Sequence, residues 1–194
     1  MARKIALIQG HPDSHGGHFC HALADAYAAG AERAGHQVRR IDIAALDFPL
    51  LRSQADFEQG APVADITTVQ EAIQWAEHLV IVYPLWLGTM PALMKGFLEQ
   101  VFRPGFAFSY ESAGWPKKML SGRSARVIIT MGMPAVIYRW VFLAHSLRSL
   151  ERNILRFTGI RPVRDTVIGM VEALKPEKRQ AWLKRMGALG ERAR

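Results

Sequence analysis

Cysteine is nearly absent. Cys20 stands alone among 194 residues, so no intramolecular disulfide can form, and the chain fits a reducing compartment. Its plainest role is that of a small buried helix residue. No apolar run approaches the roughly 20 residues that span a bilayer, so no transmembrane helix is expected. Arg3-Lys4 is followed only by Ile5-Ala6-Leu7-Ile8, too short for the apolar region of a signal peptide, and a cytoplasmic location is expected. The Walker A pattern is missing, and no G-x-G-x-x-G follows the first apolar run, which removes the commonest nucleotide-binding loops. Internal repeats and low-complexity tracts are also lacking. Acidic side chains are the scarcer sign, 17 against 25 basic ones, for a formal net charge of +8. Such a balance points toward nucleic acid, an anionic membrane or a phosphate-bearing small molecule. The excess between Arg148 and Arg164 and between Lys175 and Arg194 is spread at helical spacing among Leu, Trp and Met, the pattern of a solvated helix face. No aromatic-interleaved basic module accompanies it, so no nucleic-acid partner is expected.

What remains is ordinary for a soluble globular chain, 49% apolar and 22% charged, and no linker-like stretch divides it. Residues 1–194 read as one domain. Arg3 to Gln9, rich in Ile and Leu, reads as a fully buried first strand. A turn from Gly10 to Gly17 leads to a helix from His18 to Ala34, capped by Gly35, and His36 to Ile43 supplies a second strand. Leu46 to Asp65 shows neither period and reads as a long loop, with a helical turn around Ser53 to Phe57; loops of this length tend to cover something. A helix over Ile66 to Ala76 precedes the third strand, Leu79 to Tyr83. Pro91 opens a helix over Ala92 to Phe102, and the excursion Arg103 to Arg123 is expected over the carboxyl edge of the sheet. Ala125 to Met131 is the fourth strand. A single long helix runs from about Val136 or Tyr138 to Phe157, stopped by Gly159, then a fifth strand follows over Arg161 to Ile168. Pro176 opens the last helix, to about Ala188. Strands alternating with helices imply an α/β fold, a three-layer α/β/α sandwich around a five-stranded parallel sheet. Its commonest five-stranded order is 2-1-3-4-5.

Three loops at the carboxyl ends of these strands carry the candidate chemistry, because ligands of open parallel sheets sit there. Gly10-His11-Pro12-Asp13-Ser14-His15-Gly16-Gly17-His18-Phe19-Cys20-His21 places backbone N–H groups and the positive end of a helix beside any anion, with imidazoles as further donors. A plain turn with an N-cap is the alternative reading of the same segment. His15, His18 and His21 recur every third residue, but no second Cys or carboxylate joins them in a standard zinc spacing, so no metal is expected. Tyr83-Pro84-Leu85-Trp86-Leu87-Gly88-Thr89-Met90-Pro91 is either a bare strand-to-helix connection or a cradle for a planar heterocycle. In the second case its backbone bonds the polar edge of the ring and its apolar side chains cover a face. Met131-Gly132-Met133-Pro134-Ala135 would meet the same ligand from the other side.

With these residues in view, the chain resembles the NAD(P)H:quinone oxidoreductase family of flavodoxin-like flavoproteins. That family includes the DT-diaphorase enzymes, the modulator-of-drug-activity-B proteins and the potassium-efflux ancillary reductases. The resemblance is carried by Gly10-His11-Pro12 with Phe19-Cys20-His21-Ala22-Leu23, and by Tyr83-Pro84-Leu85-Trp86 with Pro91-Ala92-Leu93-Met94-Lys95-Gly96. Val101-Phe102, Gly105-Phe106-Ala107-Phe108, Thr130-Met131-Gly132 and Tyr138 complete it. It implies a flavin whose phosphate is held by His11, His18, Phe19 and Cys20, although Cys20 and His18 stand where many members have Asn and Ser. Pro84, Leu85, Trp86 and Leu87 would grip the isoalloxazine, with Thr130, Met131, Gly132 and Met133 as the third flavin loop; Met133 replaces a Gly of the animal enzymes. Tyr138 matches a Tyr lining the nicotinamide and quinone pocket. The family's charge-stabilising His aligns with Ala144, next to His145, which is the candidate here.

The activity so implied is two-electron, ping-pong transfer from NAD(P)H through the flavin to a quinone or other aromatic acceptor. FAD is slightly favoured over FMN, with its adenine half around Leu50 to Gly60 and Glu99. The resemblance also implies a homodimer, for which Trp115, Trp140 and Phe142 are candidate contacts. The competing classes are a non-enzymatic flavodoxin-like electron carrier, which the basic charge disfavours, and a regulatory subunit docked on a membrane transporter.

Overall fold

The computed structural model describes residues 1–110 and 116–194; Trp115, a candidate dimer contact, lies outside the described residues. The elements in chain order are β1 (Lys4–Gln9), α1 (Phe19–Arg33), β2 (Gln37–Asp42), α2 (Gln54–Gln59), α3 (Ala64–Trp75), β3 (His78–Pro84) and α4 (Ala92–Val101). They continue with β4 (Phe108–Ser109), β5 (Lys117–Lys118), β6 (Ser124–Thr130), α5 (Ala135–Trp140), α6 (His145–Ser149), β7 (Val163–Ile168) and α7 (Pro176–Glu191). β1, β2, β3, β6 and β7 form one five-stranded sheet in the order β2-β1-β3-β6-β7, every pairing parallel. Counted within that sheet, this is the 2-1-3-4-5 arrangement expected from the sequence.

Period-2 alternation divides the core into two layers. Ile5, Leu7, Val80, Val82, Ile128 and Ile168 face α1 and α7, while Ala6, Ile8, Leu79, Ile81, Val127 and Ile129 face the opposite layer. β3 is buried along its whole length, which explains why its sequence shows no alternation. The chain moves from β1 outward to β2, then crosses back to β3 on the other side of β1. The crevice at the carboxyl ends of β1 and β3 is therefore the switch point of the sheet. Register brings the ends together: Gln9 pairs with Val82, and Thr130 pairs with both Pro84 and Ile168.

Two expectations are corrected. The long helix after β6 is broken: α5 ends at Trp140, and Leu143 and Ala144 take left-handed backbone conformations (φ 52° and 48°) before α6 begins. α6 then runs into a π-helical stretch, Leu150–Arg156. No Gly or Pro marks the break. It is held by tertiary bonds, since the buried Tyr138 hydroxyl accepts from the Leu147 N–H (3.1 Å) and pairs with Ser146 Oγ (2.8 Å) at the start of α6. The Ala144 N–H closes α5 on the Tyr138 carbonyl at 2.9 Å. Such bonds satisfy donors that a helix start leaves open, and they offset the cost of two non-Gly residues at positive φ, about 1–3 kcal/mol each.

The second correction concerns the excursion from Arg103 to Arg123, whose described part from Pro116 to Arg123 packs at the amino side of the sheet. α4 runs antiparallel to the strands and so delivers the chain to the wrong edge for a cover over the carboxyl ends. Leu120 N–H bonds the Thr158 carbonyl just before β7, and the Arg123 guanidinium bonds the carbonyls of Ile73 and Gln74 just before β3.

The α1–α7 contact rests on glycine. A Cβ at Gly30 would stand 2.1 Å from the Gly187 carbonyl oxygen, and one at Gly190 would stand 2.1 Å from that of Tyr27. Helix propensity alone favours Gly30→Ala by about 1 kcal/mol. Overpacking should reverse the sign, and urea unfolding of Gly30→Ala is expected to show a net loss of about 1–3 kcal/mol; a variant as stable as the parent would contradict the packing.

Candidate functional site

The first loop starts from a close approach. Gly10 N–H bonds the Val82 carbonyl at 2.6 Å, and a Cβ at Gly10 would meet Tyr83, Met94 and the Val82 oxygen at 3.0 Å each. The Gln9 side chain accepts from His11 N–H, and His11 Nδ1 accepts from Asp13 N–H (both 3.1 Å), so the turn is fixed by its own side chains. Asp13 gathers two imidazoles, His15 Nδ1 and His18 Nε2, each 2.8 Å from a carboxylate oxygen. The bond from His18, then those from the His15 backbone and ring, hold the Asp13 carboxyl well below the usual carboxylate range. His11 and His18 stack with ring centroids 3.9 Å apart, and His21 lies 5.2 Å from His11 and 5.7 Å from His18. Burial lowers the His11 pKa, and the neighbouring His18 and His21 rings lower it further. α1 opens at His18 with no side-chain cap and no acidic residue in its first turn, so no side chain of its own first turn offsets its positive end.

The second loop turns tightly. Trp86 and Thr89 exchange backbone bonds of 2.8 and 3.0 Å across Leu87 (φ 46°) and Gly88 (φ 81°), the two positive values that such a two-residue turn demands. Trp86 is half exposed and meets the His11 ring edge-on at 6.0 Å.

Thr130, the last residue of β6, ties the loops together. Its carbonyl accepts from Leu85 N–H at 2.7 Å, and its hydroxyl lies 3.0 Å from the buried Cys20 sulfur. Burial pushes the Cys20 thiol up to about 11, so Cys20 is a neutral packing residue and weak hydrogen-bonding partner. A fourth segment joins from β7: Val171 N–H bonds the Met131 carbonyl and Met170 N–H that of Met133, both at 3.2 Å.

Together these segments enclose a cavity of about 390 Å³ lined by His11, His18, Phe19, Cys20, Pro84, Leu85, Trp86, Thr130, Met131 and Gly132. The volume lies in the range of small-molecule and cofactor sites. Gly17 of the first loop also lines it, as do Val171, Glu172 and Arg179, which the sequence reading missed. Ile168-Gly169-Met170 after the fifth strand should have signalled this wall, since it too is a strand end at the carboxyl edge. Arg179 is aimed by its bonds to the Leu174 and Val171 carbonyls (3.1 and 2.6 Å) and lies over the Phe19 ring.

The other expected residues are placed elsewhere. Leu87 is fully exposed at the turn tip, and Met133 packs against the core. Tyr138 is buried with its hydroxyl bonded as described above, so it positions α6 and lines no part of the cavity. His145 is exposed beside the second loop, 3.9 Å from where a Gly88 Cβ would stand, with Nδ1 3.0 Å from the Phe142 carbonyl. Among the described residues no group of three His, Cys, Asp or Glu side chains is arranged to hold a metal, and no helix is long and apolar enough to cross a membrane.

Comparison with known proteins agrees with this geometry. A family model described as having a flavodoxin-like fold matches residues 3–189. An uncharacterized NAD(P)H oxidoreductase of Haemophilus influenzae is 26% identical over 181 residues, covering 91% of this chain and 89% of that protein. An FMN-dependent NADH:quinone oxidoreductase of Nitratidesulfovibrio vulgaris is 29% identical over 178 residues, 82% of this chain and 83% of the relative. Among solved structures, an NAD(P)H:quinone oxidoreductase from Methanothermobacter marburgensis superposes with a TM-score of 0.81 at 24% identity, covering 98% of this chain and 96% of that one.

Proposed function

The chain belongs to the flavodoxin-like fold family, and from that membership we propose that it is a flavin-dependent NAD(P)H oxidoreductase that reduces a quinone-type acceptor. The observation that carries the reading is the convergence of the three loops and the β7–α7 segment on one cavity at the switch point of the sheet. The residues present suit a flavin mononucleotide. The anionic end matches the uncapped start of α1, the imidazoles of His11 and His18, and Arg179. The ring end matches Pro84 to Trp86 and Thr130 to Gly132, where a Cβ at Gly132 would meet nothing closer than Glu172 Oε1 at 4.0 Å. The backbone there is open to a flat ligand.

FMN is the form we assign, in place of the FAD that the sequence slightly favoured. The segment expected to hold an adenine, Leu50 to Gly60, is engaged with α4 and the residues after it: a Cβ at Gly96 would stand 2.5 Å from Leu50 Cδ2, and the Gly60 carbonyl accepts from Arg103. The FMN-dependent relatives support the same choice.

Bound flavin would supply the two-electron chemistry, accepting from the dihydronicotinamide and donating to the acceptor. The protein's part is orientation and charge. Backbone N–H groups and the α1 start would hold the anion, and Trp86 would wall the ring site. Use of one ring face in turn by NAD(P)H and the acceptor gives ping-pong turnover. Steady-state rates with NAD(P)H and a soluble quinone should therefore give parallel double-reciprocal lines. Trp86→Ala should weaken FMN binding about tenfold or more, in line with the loss of an aromatic contact worth 1–3 kcal/mol. Intersecting lines, or FMN binding indifferent to Trp86, would sink the reading.

The same reading extends to a homodimer. Val136, Ile137, Trp140, Val141, Phe142 and Leu143 are all exposed in one continuous segment, Trp140 by 77%. The segment leads directly into His145 beside the second loop, so a second copy seated there would roof the cavity mouth. Light scattering should report a dimer for the parent and a folded monomer for Trp140→Glu; a monomeric parent would remove this part of the proposal.

A further inference from the structure

Four histidines stand within eleven residues, His11 to His21, across the first loop and the start of α1, more than anion binding by backbone and arginine requires. His18 is the one that the geometry singles out. Its ring is stacked on His11 at 3.9 Å, its Nε2 is held by Asp13 at 2.8 Å, and it stands at the N-cap of α1 on the cavity wall. His21 completes a triad of rings, and both of its ring nitrogens are buried without a hydrogen-bond partner.

We propose that this triad makes flavin binding selective for the phosphorylated cofactor through proton uptake, with His18 as the specificity-determining residue. The inference rests on the flavin reading above and deepens it.

Three imidazoles this close repel one another when charged, and Asp13, which also serves His15, supplies only one compensating charge. The groups facing the triad from elsewhere do not alter that balance. Trp86 from the second loop is neutral, Cys20 is held neutral by burial, and Glu172 and Arg179 across the cavity are of opposite sign. Charging all three rings at once is therefore unfavourable, in keeping with the lowered pKa of His11. A phosphomonoester, whose second pKa is about 6, enters as a dianion and favours the charged imidazoles. The site then takes a proton from the buffer. A flavin without the phosphate has no such effect.

The sign follows from linkage. Each proton taken up on binding tightens Kd by up to about tenfold per unit fall in pH, until the phosphate itself protonates around its second pKa of about 6. The test is calorimetric titration of the full chain with FMN and with riboflavin at pH 7.5, in two buffers of different ionisation enthalpy, repeated on His18→Gln with circular dichroism to verify its fold. Expected are an uptake of about half a proton or more for FMN, none for riboflavin, and loss of most of the uptake in His18→Gln. A heat of FMN binding independent of buffer would overturn the proposal, as would equal uptake for riboflavin. Uptake undiminished in His18→Gln would overturn the role of His18. Riboflavin binding together with buffer-independent FMN binding would leave the flavin reading standing while removing this one. Failure of both flavins to bind would remove both.

Discussion

The constraint on which the site depends is the placement of Thr130. It ends a central strand, so its position is set by parallel pairing with β3 on one side and β7 on the other. From there its carbonyl fixes Leu85 in the second loop and its hydroxyl reaches Cys20 at the start of α1. One residue thus holds three loops that are far apart in sequence. The bonds are individually modest, about 1 kcal/mol each. Their value lies in orientation, because a cavity built from loops keeps its shape only if the loops are tied to rigid elements.

Much of this was legible in the sequence. Unbroken apolar strands alternating with helix-period segments give a parallel sheet, and the loops following the first, third and fourth strands were found because a sheet of that kind presents them at one edge. The fourth wall was missed because Val171, Glu172 and Arg179 carry no ring-gripping or Gly-rich signature, and their placement comes only from backbone bonds to Met131 and Met133. The break after Trp140 was invisible for a related reason. No Gly or Pro interrupts the segment from Val136 to Phe157, and only the burial of the Tyr138 hydroxyl shows that a hydrogen bond has replaced a helical turn. The excursion after α4 lies at the other edge because α4 runs antiparallel to the strands, a direction that the composition of the excursion does not carry.

The departures from the resembled family gather in two places. At the phosphate end, His18 and Cys20 stand in for small polar residues; Cys20 serves packing, while His18 enters a cluster of charge and rings. Near the acceptor side, the Tyr expected to line the pocket instead braces α6, and His145 sits outside the cavity wall. The strained residues Leu143 and Ala144 lie between them. Both departures lie beside the cavity, one at its α1 wall and the other outside the second loop.

The most direct measurement is the visible spectrum of the FMN-loaded protein under anaerobic conditions, on adding one equivalent of NADH or NADPH and then a quinone. The account predicts that the flavin band bleaches with the dihydronicotinamide and returns in full with the quinone. A band that bleaches only with dithionite would contradict it, because the cavity would then hold a flavin without bringing a dihydronicotinamide to it.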